Sequence, residues 1–495
     1  MTKQECAIKY IEDNYLQFNS LRHDIISDKL QVRCAHSLED APEGLQFRGK
    51  ELWREMTKHD INSIVCHAAQ EYDANITSRE VLTALQSDLI PDVHPLREYI
   101  LSLPAYTPDQ PDWIDWVASQ VRVKSNDNID NLRGSSINDN IDNLRPNRTQ
   151  SDRSNAREIR IPLGAQGEYS SPRQEVDCRG MLSKLSSNNN SSLTSNNNHS
   201  LSSPNNPADR LWRGCFKKWF VAMVASWMKD EVVNHQVLVL IGKQGIFKTT
   251  WLEHLIPPHL RAYACKLANS NDLNKDERLR IAEFGLISLD EIDSMNNREL
   301  NQLKSVITAT DVNERAAYAY TKERRVRLAS FCASGNRRDF LTDITGNRRW
   351  LPFEVESIQN PFNTILPYER MYAQAWALAQ DPLFSYWFDL DEIEVLEQHN
   401  QYFRDESNEE QLLPILFDVP AEGRGEFMTT AQISERLVTY GNIKKPMALG
   451  RLGVLMSSMG YRSVQRQIGC RRGRGWIVYQ RDTDEIASMR RLLIH

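Results

Sequence analysis

The run GKQGIFKTT at 242–250 carries the residue types that wrap a polyphosphate. It follows VLVLI at 237–241, an apolar stretch short enough to be a buried parallel strand. A strand that ends in such a turn and opens a helix aims backbone N–H groups and the helix dipole at an anion. On this reading Gly242, Lys243, Gln244, Gly245, Ile246, Phe247, Lys248, Thr249 and Thr250 form a nucleotide-binding loop. Lys248 reaches the β/γ oxygens and Thr249 ligates Mg2+. The usual pattern is G-x-x-x-x-G-K-[ST], and Phe247 stands where its second glycine belongs, which brings a large side chain close to the phosphates. Pro257 and Pro258 limit the following helix to about nine residues.

Three further groups lie downstream. GLISL at 285–289 reads as a buried strand ending in Asp290 and Glu291, and the C-terminal ends of parallel strands are where doubly wound sheets bind ligands. Asp290 would hold Mg2+, directly or through water, and Glu291 would polarise the attacking water. Asp293 is either a supporting carboxylate or the N-cap of a helix expected over 296–309. The strand VRLASFCASGN at 326–336 ends on Asn336, placed to position water beside the γ-phosphate. GNRR at 346–349 precedes a strand over 350–355. Arg348, ahead of Arg349, would reach a neighbouring subunit's nucleotide and neutralise charge developing during transfer.

In this order, GKQGIFKTT, LISLDEID, FCASGN and LTDITGNRRWLPFEV, the chain resembles the virulence-associated protein E family, with GNRRW the most specific part. The resemblance covers 210–355 and extends weakly to SDLIPDVHPLREYILSLP at 87–104. It implies an ATPase core similar to superfamily 3 helicases within the AAA+ class. That core would be a ring-forming α/β fold associated with replication of phages, plasmids or integrated elements. In superfamily 3 helicases a hairpin projects into the central channel and grips the DNA backbone. TKERRVR at 321–327 reads as the turn and second arm of such a hairpin, with Lys322, Arg324 and Arg325 as its DNA contacts, or else as a solvated charged turn.

The elements that must position these groups divide the chain into a mostly helical N-terminal region at 1–122, an Asn/Ser-rich disordered linker at 123–208 and a P-loop AAA+ ATPase domain at 209–390. A helical linker at 391–424, a winged-helix-like domain at 425–481 and a tail at 482–495 follow. A helix and then one short strand are expected over 5–34, and amphipathic helices over 60–72 and 78–87. A helix carrying Trp113 and Trp116 is expected to dock onto the core. Within the linker NDNIDNLR occurs at 126–133 and again at 138–145, a local duplication too polar for a solenoid. A helix rich in Trp and Phe, from Trp212 to Trp227, leads into the first strand of the ATPase.

Near the C-terminus, Thr429 or Thr430 would cap one helix, and 447–460 forms a second that carries Arg451. A basic stretch at 461–481 without acids places GRG, 473–475, between two strand-like arms. That is how a winged helix reads, with Arg471, Arg472 and Arg474 on DNA; a basic packing or oligomerisation module is the alternative.

The 495 residues carry 60 basic and 66 acidic side chains, net −6, so any nucleic-acid contact must come from local patches. Eight cysteines without a C-x-x-C pair argue against structural zinc and a secreted disulfide scaffold, and favour a reducing cytoplasm. No stretch approaches the roughly 18 apolar residues of a membrane span. The expected function is an ATP-hydrolysing, DNA-dependent helicase-like motor of a mobile genetic element. It would use ATP and Mg2+, act on single-stranded or forked DNA as a homo-oligomeric, hexameric ring, and take a primase as a further partner. The alternative is a nucleotide-dependent DNA-binding initiator or defence-related switch with slow turnover.

Overall fold

The computed structural model describes residues 1–33, 53–125, 206–267, 275–314, 323–341, 347–420, 425–468 and 471–493. Both NDNIDNLR copies, the rest of the Asn/Ser-rich segment before residue 206, and Lys322 lie outside them.

The N-terminal residues build more sheet than their helical spacing suggests. After the helix Lys3–Ile11 come β1 (Leu21–Asp24) and β2 (Lys29–Arg33), antiparallel, where one strand is expected. Asp28 makes the reversal with φ +56°, a left-handed conformation that Asp tolerates better than most residues. With β3 (Trp53–Glu55) and β4 (Asp92–Val93) they form a sheet of order β3-β2-β1-β4. The expected helices form at Lys58–Glu71 and Ser78–Leu85, opened by reciprocal Thr57/Asp60 and Thr77/Glu80 caps. Their apolar faces meet Ile11 and Leu21 in a core of their own.

The central sheet has the order β5-β12-β6-β11-β8-β7: β5 (Val121–Val123), β6 (Val237–Ile241), β7 (Ala264–Leu267), β8 (Leu286–Leu289), β11 (Ser330–Gly335) and β12 (Trp350–Ile358). β6, β8 and β11 are buried throughout, as apolar runs sandwiched between layers must be. All neighbours pair in parallel except β5, which runs antiparallel to β12. Strand β5 therefore belongs to this sheet, and the expected boundary at 122 falls inside it.

The helix Pro207–Met228 lies against the sheet, and its tryptophans bury their rings while each indole N–H finds a carbonyl. Trp212 donates to Ala118 (2.9 Å), Trp219 to Phe331 (3.1 Å) and Trp227 to Gly285 (3.1 Å). The first of these ties the helix Trp113–Ala118 to the core, the docking expected for the Trp113/Trp116 segment. Lys218 and Glu392 form a buried ion pair at 2.5 Å that fastens the helix Leu390–Gln401.

A hairpin of β9 (Asp311–Glu314) and β10 (Glu323–Val326) precedes β11, as the second-arm reading of 321–327 expects. Its neighbour Arg327 is part of the core. The fully buried guanidinium donates to the carbonyls of Asn234 (2.9 Å) and Ala329 (3.0 Å) and to Ile307 in the last turn of the helix Asn297–Thr308.

C-terminal to this, β13 (Phe417–Asp418), β14 (Glu426–Thr429), β15 (Arg462–Ile468) and β16 (Arg471–Gln480) form a second antiparallel sheet around the helices Thr430–Gly441 and Leu449–Ser458. Thr429 is the N-cap of the first helix. Leu413, Leu416 and Phe417 pack into this core, so the module begins before 425. The expected tail contains the helix Thr483–Leu493, with Ile486 against the same core. GRG at 473–475 is not a turn: all three residues lie within β16, paired with Arg466, Gln465 and Val464. A Cβ at Gly475 would meet the Phe427 ring at 2.5 Å and the Met428 carbonyl at 2.6 Å, so this glycine serves close packing. No helix among the described residues is long and apolar enough to cross a membrane.

Candidate functional site

Register places the chemistry. Ile241 pairs with Gly335, and the Gly242 amide donates to the Gly335 carbonyl (3.1 Å), so the 242–250 loop and Asn336 leave adjacent strand ends together. A Cβ at Gly242 would meet the Val355 carbonyl at 2.7 Å, so the loop starts hard against β12 and needs its first glycine. Gly245 has φ +85°. The helix that follows is Lys248–His254, shorter than the sequence suggests.

Lys248 is buried, and its ammonium donates to the carbonyls of Gly242 and Lys243 (both 2.7 Å) and to Asn336 Oδ1 (3.3 Å). Burial lowers its pKa, while Asp293 and Asp290 pull the other way. Thr249 Oγ1 donates to Asp290 Oδ1 (3.2 Å) and shares a 2.9 Å hydrogen bond with Ser334, whose hydroxyl also reaches Asp290 Oδ1 (2.7 Å). Lys266 Nζ sits 2.8 Å from the other Asp290 oxygen. Burial by itself raises the Asp290 carboxyl. The hydrogen bonds and charge of Lys266, with those of Ser334 and Thr249, outweigh it and hold the group below the usual carboxylate range.

Glu291 follows in a left-handed conformation, φ +53°, with an exposed side chain. Asp293 does not cap a helix; that position belongs to Asn296. Its carboxylate accepts from the Asn336 and Arg337 amides (both 3.1 Å) and so fixes the end of β11. This fit requires Gly335, where a Cβ would lie 2.7 Å from Asp293 Oδ1.

Arg348 and Arg349 are not part of this cluster. Trp350 pairs with Val237 and Glu354 with Ile241, so the arginines stand at the opposite end of the sheet, about 13 Å or more from their own loop. Asn400 holds this turn through the Asn347 (2.8 Å) and Trp350 (3.0 Å) carbonyls, and Arg348 is exposed.

Among the residues expected on DNA, Arg324 is exposed and pairs with Asp311 across the hairpin. Arg325 is mostly buried, 3.6 Å from Asp28 and 3.8 Å from Glu283, and so joins the hairpin base to the N-terminal sheet. Arg471 and Arg472 open β16, paired with Ile468 and Gln467, and Arg474 donates to Ser463 (3.1 Å).

Sequence reasoning missed Ser334 and Lys266 as site residues. Ser334 lies one strand away from Asp290 on a side-chain alternation that FCASGN displays, but only the register shows that it bridges Thr249 and Asp290. Lys266 carries no motif.

Residues 189–409 match the family model of the Virulence-associated protein E-like domain. No curated protein matches the chain. Among solved structures, the apo structure of NrS-1 C terminal region aligns at 10% identity and a TM-score of 0.38, covering 96% of this chain and 100% of that one. The A form apo structure of the same region aligns at 10% identity and a TM-score of 0.37, covering 95% and 98%.

Proposed function

We propose that the chain is an ATP-hydrolysing, DNA-dependent helicase-like motor acting in replication of a mobile genetic element, with a P-loop AAA+ core and a winged-helix-like C-terminal module. The observation that carries this reading is the convergence of Lys248, Thr249, Asp290, Ser334 and Asn336 on one end of a parallel sheet. The family match over 189–409 supports it. Arg348 and Arg349 at the far end of the sheet suit a ring, in which each subunit completes its neighbour's site.

The residues fit Mg2+. A carboxylate and a hydroxyl 3.2 Å apart supply two hard oxygen donors, and Mg2+ usually takes one or two protein ligands and leaves the rest to water and phosphate. Thr249 and Asp290 would hold it, and it would neutralise charge on the β/γ oxygens. Lys248 exchanges its loop carbonyls for phosphate oxygens. Glu291, exposed beside Asp290, accepts the proton of the attacking water, and Asn336 orients that water. Turnover measured with and without single-stranded DNA tests this. Lys248→Ala should reduce it at least about 100-fold, and Glu291→Gln by a similar factor. Turnover equal to wild type in either variant, or none in the wild type, would refute the motor.

One observation favours the switch as a second reading. Phe247 takes φ +67°, the conformation that explains the glycine usual at this position, and puts a bulky side chain where that glycine leaves space. ATP-dependent assembly without DNA-stimulated turnover would select the switch.

A further inference from the structure

The Phe247 ring meets Phe362 edge-on, centres 6.4 Å apart and planes at 80°, and Phe362 meets His254 in the same way at 5.5 Å and 89°. His254 ends the helix that Lys248 opens. Phe362 lies in the connection after β12, the strand whose Val355 carbonyl faces Gly242. Two tyrosines fix where that connection returns: Tyr368 donates to the His254 carbonyl (2.7 Å) and Tyr372 to the Leu255 carbonyl (3.1 Å). Phe362 is nevertheless 71% exposed, so two aromatic edges orient a ring whose remaining surface faces solvent at the rim of the loop.

We propose that Phe362, seated on Phe247 and His254, is the stacking platform for the purine base of the nucleotide whose phosphates the 242–250 loop takes. The proposal rests on the nucleotide reading above and adds the subsite for the base. Aromatic faces take bases without reading their edges, and a purine offers the larger surface. It also accounts for Phe247: a glycine there would relax the backbone but remove the ring that steadies Phe362.

Calorimetric titration of the full chain with ATP and with inorganic tripolyphosphate, which lacks a base, tests the platform. Phe362→Ala should weaken ATP roughly tenfold and leave tripolyphosphate within about twofold, and Phe362→Trp should restore ATP binding. Unchanged ATP affinity in Phe362→Ala, or equal weakening of both ligands, overturns the platform. If tripolyphosphate binds too weakly to titrate, the Phe362→Trp rescue decides. Lys248→Ala distinguishes the two failures. If it abolishes ATP binding while Phe362→Ala has no effect, the platform alone falls. If it binds ATP as wild type does, the phosphate-loop reading falls with it.

Discussion

Phe247 and Glu291 both hold the left-handed backbone region, and both flank the residues that would bind phosphate and metal. For a side chain with a Cβ that region costs of order 1–2 kcal/mol. At Glu291 the side chain is exposed, so packing offsets little of this. Glu291→Gly should therefore stabilise the fold by about 1 kcal/mol while removing hydrolysis, whereas Glu291→Gln should remove hydrolysis and leave stability unchanged. Thermal denaturation beside a turnover assay checks both, and a glycine variant no more stable than wild type would contradict the strain. Sequence alone singled out Lys248, Thr249, Asp290 and Asn336 from the residue types and order of a phosphate-loop pattern, and the structure brings these four together. Lys266 was not legible, because it reaches Asp290 from β7 across a strand pairing that spacing cannot display.

Among the elements, the buried strands β6, β8 and β11 were plain as apolar runs, and the helices as amphipathic periods. The second hairpin was visible in outline, but its turn was misplaced at 473–475, since a glycine in a strand interior and one in a turn look the same until the partner is known. The helix Leu390–Gln401 carries a pH-dependent tie to the central sheet. His399 is fully buried between Phe353 and Phe403, with Nε2 2.6 Å from the Pro352 carbonyl. Burial pushes it down to about 4, against the opposing pull of that carbonyl. The unfolded chain binds this proton near pH 6.5 and the folded chain only near 4, so stability rises with pH between those values and levels off above. Acidification from about pH 7 to about pH 4.5 should cost up to about 3 kcal/mol at this residue. His399→Phe should flatten that part of the melting-temperature profile, and an identical acid slope in the variant would place the dependence elsewhere.

At the scale of the whole molecule, the chain presents the loop at one end of its sheet and Arg348 with Arg349 at the other. If sites are completed between subunits, mixing Lys248→Ala with Arg349→Ala should recover turnover that neither variant has alone, because some interfaces then pair an intact lysine with an intact arginine. Absence of recovery under conditions where the two co-assemble would count against shared sites. Strand β5 has a different bearing on how the molecule can be dissected. It pairs with the outer half of β12, fixed by Lys124 to the Glu354 carbonyl (2.8 Å) and by Arg122 to Glu356 (2.8 Å). A fragment cut to begin at residue 206 would keep the loop, the acidic pair and both arginines, yet would leave β12 with a bare hydrogen-bonding edge, ready to zip onto another copy. A piece that keeps this edge covered has to bring β5 with it, in the same chain or supplied as a separate peptide.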